Sequence, residues 1–94
     1  MLLQSKLKEL REQSMLPQRK VASALDIDTA TYCKIEKGNY IPRKDQVTQL
    51  SEIFDTDKGE LLKLWLADKI SLVAESEKDF ASDALKLVNE NFNI

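Results

Sequence analysis

Leu3, Leu7 and Leu10 recur at spacings of four and three with Lys6, Lys8, Glu9, Arg11 and Glu12 between them, which predicts an amphipathic helix ending near Ser14. Pro17 cannot continue that helix but suits the entry of the next, where its missing N–H is not needed. Val21, Ala22 and Leu25 then mark the inner face of a second helix over Gln18 to Leu25. Asp26-Ile27-Asp28 supplies a turn, and Asp28 is placed to cap a third helix from Thr29 to about Lys37, with Tyr32 and Ile35 facing inward. Gly38 and Asn39, which best tolerate left-handed φ, end it. After Pro42, the positions Val47, Leu50, Ile53 and Phe54 predict a fourth helix from Lys44. Thr56 or Asp57 can cap a fifth through Leu61, Leu62, Trp65, Leu66, Ile70 and Val73, with Gly59 tolerated in its first turn. Ser76, followed three residues later by Asp79, reads as a capping box for a sixth helix lined by Phe80, Ala84, Leu87, Val88 and Phe92. No alternating strand pattern, repeat or low-complexity run interrupts the series.

The stretch from Gln18 to Gly38, QRKVASALDIDTATYCKIEKG, therefore sets two short helices around a tight turn, with Thr29, Thr31 and Lys34 turned outward. It resembles the helix-turn-helix of the phage repressor and Cro-like (Xre-type) regulators, whose pattern places Gln, a small residue, an apolar turn residue, an apolar residue and Ile-Glu-x-Gly where this chain has Gln18, Ala22, Ile27, Tyr32, Ile35, Glu36 and Gly38. The resemblance covers Leu7 to about Leu62. It implies an all-α fold: a five-helix, lambda repressor-like DNA-binding domain over residues 1–66, and a C-terminal helical extension over 67–94 open to a dimerisation role.

By the same resemblance, Thr29, Ala30, Thr31 and Lys34 occupy base-facing positions. A Thr hydroxyl can donate or accept, an Ala or Thr methyl can meet the thymine methyl, and Lys can reach guanine O6/N7. Gln18 sits where the family places a phosphate or base contact, and Arg19, Lys37, Asn39, Arg43 and Lys44 would straddle the backbone as phosphate contacts. Arg11 and Glu36 are implied to form a largely buried ion pair that clamps the reading helix. Each of these residues has a plainer reading as a solvated surface position. The chain departs from the family pattern at Asp26 (for the turn glycine), Asp28 (for Ser), Pro17 (for a Ser or Thr cap) and Cys33 (for Ser). Two carboxylates in the turn weaken any phosphate contact there and shift the burden to Gln18, Arg43 and Lys44.

Charge distribution changes the picture more than its sum. The net charge is −2, yet Met1 to Lys44 carries nine Lys/Arg against five Asp/Glu, and Asp45 to Ile94 carries five against eleven. The basic half holds the motif. At 94 residues the chain suffices for one core with appendages. A single cysteine, no apolar leader, and a densest apolar run, Leu61 to Leu66, that Lys63 interrupts lead us to expect a cytoplasmic protein with no membrane role. Cys33 could be a redox switch or a small half-buried residue. Without histidine, a Gly-rich phosphate loop or a paired-carboxylate signature, no metal, cofactor or enzymatic activity is expected.

These observations suggest a transcriptional regulator that binds double-stranded DNA as a homodimer. Trp65, Leu66, Ile70, Val73, Phe80, Leu87, Val88 and Phe92 are candidates for the dimer surface. Trp65 and Phe80 could instead line a ligand pocket, and the sixth helix could fold back on its own domain. The alternative is an antitoxin or other protein-interaction module whose acidic C-terminal half binds a protein partner.

Overall fold

In the computed structural model, which describes residues 1–92, the chain forms six helices: α1 Leu2–Gln13, α2 Gln18–Ala24, α3 Thr29–Lys37, α4 Lys44–Ile53, α5 Lys58–Ser76 and α6 Lys78–Phe92. No strand occurs among the described residues, and the architecture is an all-α, repressor-like domain with a helical extension. Among them, no helix is long and apolar enough to cross a membrane. The inner faces of α1 to α5 meet in one core: Leu3 and Leu7 from α1, Val21 and Ala22 from α2, Tyr32 and Ile35 from α3, Val47 and Leu50 from α4, and Leu61 from α5. Leu10, Leu16, Ile27 and Trp65 pack around it.

Tight reversals make this packing possible, and four successive helices end in the same way. The chain turns left-handed at Met15 (φ 57°), Asp26 (φ 58°), Gly38 (φ 80°) and Asp55 (φ 49°). In each case the next residue's N–H returns to a carbonyl five residues back: Leu16 to Arg11, Ile27 to Ala22, Asn39 to Lys34 and Thr56 to Ser51. This closure satisfies carbonyls that a helix end leaves orphaned. Asp at 26 and 55 tolerates the conformation because its short polar side chain bears the left-handed geometry better than most. Gly38 is glycine for its left-handed φ; a Cβ there would meet only the end of the flexible Gln4 side chain of α1.

Several boundaries differ in detail from the sequence expectation. Pro17 stands at the entry of α2, as expected, as its extended cap residue (ψ 155°), while the helix ends at Ala24, one residue before the expected Leu25. Ser76 does not cap α6. α5 continues to Ser76, so that hydroxyl still sits in a helix and donates back to the Val73 carbonyl at 2.6 Å, while the break falls at Glu77. α5 also passes residue 66 without interruption, and Asp68, beyond that point, is only 5% exposed. Its two carboxylate oxygens accept from the backbone N–H groups of Leu2 and Leu3, each at 2.9 Å. α1 has no cap or acidic first turn of its own, so a carboxylate from the far end of the domain supplies both. After Asp68, α5 leaves the core, and α6 packs back against it without burying any of its own residues. The molecule is elongated as a result, at 42 × 24 × 20 Å.

Asp68→Ala leaves two N–H groups of α1 without acceptors, and urea denaturation is expected to show a loss of about 2 kcal/mol. Met15→Gly relieves an L residue from left-handed backbone at the cost of a more flexible unfolded chain; the expected net change is a gain of up to about 1 kcal/mol with an unchanged denaturant slope.

Candidate nucleic-acid interface

The sequence of α3 divides its surface cleanly. Tyr32, Ile35 and Glu36 point inward, whereas Thr29, Ala30, Lys34 and Lys37 are exposed and Thr31 and Cys33 are half-buried. The helix begins at Asp28, whose Oδ1 accepts from the Thr31 N–H at 2.7 Å. Hydrogen bonding from the Thr31 hydroxyl, and then from its N–H, holds the Asp28 carboxyl below its ordinary value. The charge departing from the family's serine is therefore spent on the helix's own first turn.

Arg11 fixes the orientation of this helix. Its Nε and Nη2 donate to the two oxygens of Glu36 at 2.6 and 3.0 Å, and its Nη1 donates to the Leu16 carbonyl at 3.0 Å. Gln18 Nε2 donates to the same Glu36 at 3.1 Å. The Glu36 carboxylate thus ties α1 and α2 to the end of α3, and the Arg11 guanidinium adds the α1–α2 turn. Burial by itself would raise the Glu36 pKa; the hydrogen bonds from Arg11 and Gln18 and the Arg11 charge outweigh it and hold the carboxyl below its ordinary range. The Tyr32 phenol is enclosed nearby with no hydrogen-bond partner among the described residues, and burial first, then the Glu36 charge, push its pKa up.

Most exposed cations of the chain join no ion pair among the described residues, Lys8, Lys58, Lys69, Lys78 and Lys86 included, so what distinguishes α3 is how many cluster around it. Among the described residues, Lys6 pairs with Glu9, Lys63 with Glu60 and Arg43 with Asp45, but Arg19, Lys34, Lys37 and Lys44 join no ion pair. Lys20, exposed beside Arg19 at the start of α2, is equally free and was not singled out from sequence; its adjacency to Arg19 was the available signal. Arg43 is not simply an unpaired cation, since its Nε donates to Asp45 Oδ1 at 3.1 Å on an exposed surface. Gln18 too is engaged, with one amide hydrogen on Glu36 and the other left for a further acceptor. The loop carrying Asn39 and Arg43 is fastened at the Pro42–Arg43 peptide, from both sides: Trp65 Nε1 donates to the Pro42 carbonyl at 2.8 Å, and buried Gln46 accepts from the Arg43 N–H at 2.8 Å.

Trp65 must accordingly be withdrawn from the dimer candidates. It packs against the core and its indole N–H is taken by Pro42, because the first turns of α5 still face the domain. The others, Leu66, Ile70, Val73, Phe80, Leu87, Val88 and Phe92, are all exposed.

A short capped helix offered outward, seated across a second helix through a tight left-handed turn and flanked by unpaired cations, defines a helix-turn-helix module. A family model described as a helix-turn-helix domain matches residues 5–65, and the chain belongs to that family. No match is found among curated proteins or among solved structures.

Removing one partner of the clamp leaves a buried charge unpaired, so Arg11→Ala is expected to cost roughly 3–5 kcal/mol by denaturant unfolding. Because the folded Glu36 pKa lies below the unfolded one, its contribution is complete above the ordinary value of 4.5 and is lost as pH falls through the lower folded value. Urea midpoints taken from pH 6 down to pH 3 should therefore fall more steeply in the native chain than in Glu36→Gln.

Proposed function

We propose that the protein is a transcriptional regulator of the phage repressor and Cro-like (Xre) type that binds specific double-stranded DNA as a homodimer, with α3 in the major groove. The observation that carries this reading is the seating of α3: its inward carboxylate is saturated with donors, which fixes its exposed face outward, and Arg19, Lys34, Lys37 and Lys44 gather on and around that face with no ion pair among the described residues. Cations kept free of carboxylates are available for phosphates, whose neutralisation releases counterions and drives binding.

In this reading Thr29, Ala30, Thr31 and Lys34 face base edges. Arg19, Lys37, Asn39 and Lys44 hold phosphates, and Lys20 is added to them. Gln18 presents its second amide hydrogen to a phosphate from a position fixed by Glu36. Arg43 exchanges Asp45 for a phosphate, which is inexpensive because both partners of that pair are about two-thirds exposed. Residues 1–66 are the reading domain and 67–94 the element that pairs two copies, setting recognition helices about one helical turn, near 34 Å, apart. Under a second reading, the exposed apolar and acidic C-terminal half neutralises a protein partner, and DNA binding is secondary.

Fluorescence anisotropy on DNA from upstream of the protein's own gene, against random duplex and across a salt series, tests the proposal. Lys34→Ala and Thr31→Ala should each lower discrimination by about 1–3 kcal/mol while leaving binding to random DNA nearly unchanged. Lys37→Ala and Lys44→Ala should weaken both duplexes alike and reduce the slope of log K against log salt by about 0.9 each. Equal affinity of the native chain for all duplexes would overturn specific regulation.

A further inference from the structure

We infer that the outward face of the α5–α6 hairpin is the surface on which a second copy of this chain docks, about a two-fold axis passing close to Val73. The inference rests on the homodimer reading above and supplies its contact. Val73, Phe80, Leu87 and Phe92 are each 65–71% exposed, and Ile70 and Val88 are 47% and 46% exposed. So many large apolar side chains left open on one short hairpin, four of them lining a single groove, form the kind of exposed surface that marks an interaction site. The surface is organised. Phe80, Ala81, Ala84, Leu85 and Val88 of α6 line one side of an open groove, and Ile70, Val73 and Ala74 of α5 line the other, with Leu87 and Phe92 exposed on α6 beyond it.

Charge selects the occupant. Apart from the apolar side chains, the groove is lined by Lys69 and Glu77, one residue of each sign, and neither joins an ion pair among the described residues. Lys69 stands four residues before Val73 within α5 and Glu77 four residues after it, at the break that ends the helix, so the two charges lie on opposite sides of Val73 along the hairpin. A two-fold axis near Val73, lying in the interface perpendicular to the line from Lys69 to Glu77, brings Lys69 opposite Glu77 of the partner subunit, and Glu77 opposite the partner's Lys69. A self-complementary patch of this kind is what an isologous interface requires. Lys69 is already stationed at the groove's edge, its ammonium 4.2 Å from the Trp65 ring centre. Two such hairpins close into a four-helix bundle and leave both α3 faces outside it.

Sedimentation velocity on the full chain, over a hundredfold dilution series, tests this. The native chain is expected to run as two copies of 10.7 kDa. Val73→Glu should be monomeric with unchanged helical circular dichroism, since Val73 is mostly exposed in the single copy. Lys69→Glu and Glu77→Lys should each weaken dimerisation about tenfold, as every substitution breaks two symmetric pairs, and the double variant K69E/E77K should restore it. A native chain that is monomeric throughout, including one that pairs only with a basic protein, overturns the inference, as does a Val73→Glu dimer or a double variant that stays weak. A monomeric native chain that still discriminates its operator would remove this surface and leave DNA reading intact; a dimer that ignores DNA would do the reverse.

Discussion

The guanidinium of Arg11 lies between the first helix and the end of the third, and the direction in which α3 points is set by the bonds it makes. Two of its nitrogens take both oxygens of Glu36, the third takes the carbonyl of Leu16, and Gln18 completes the carboxylate from α2. Planar bidentate pairing of this sort fixes an orientation as well as a distance. Its net contribution to stability is small, because desolvating both ions offsets most of their attraction. What it supplies is angle: α3 cannot rotate about its own axis without breaking three hydrogen bonds whose partners lie on α1 and α2.

With α3 held, the remaining charge can be left outward and free. The same chain satisfies its inward carboxylates, Glu36 with Arg11 and Gln18, and Asp68 with two backbone N–H groups, yet leaves Arg19, Lys20, Lys34 and Lys37 without a carboxylate among the described residues. An overall charge of −2 conceals this division, since the surplus of acid lies beyond Lys44. α5 joins the two halves. It buries Leu61 in the core, fastens the α3–α4 loop through Trp65, caps α1 through Asp68, and only then turns Ile70 and Val73 to the outside. Its stripe is not uniformly apolar inward because it serves the domain over its first three turns and a different surface over its last two.

Legibility in the sequence followed the range of the interactions involved. The limits of α3 and the start of α4 were readable because their determinants are neighbours: Asp28 bonds Thr31, and Gly38 sits where the chain must turn left-handed. Asp26 was readable as a glycine substitute for the same reason. Met15 was not, because nothing in a methionine signals positive φ; it is forced there by the return of Leu16 to the core. Ser76 misled because a Ser three residues before an Asp is a cap only if the preceding helix has already ended, and here it has not.

By itself, the sequence determined the six helices, the inward set from Leu3 to Leu61, and the helix-turn-helix between Gln18 and Gly38, since these depend on periodicity and on bonds spanning five residues or fewer. Tertiary structure alone decided that Asp68 would serve Leu2 and Leu3 across more than sixty residues, that Trp65 would turn inward to Pro42, and that the next turns of the same helix would be left bare. A helical stripe tells which residues share a face; only the packing of the other helices says how far along that stripe the cover extends.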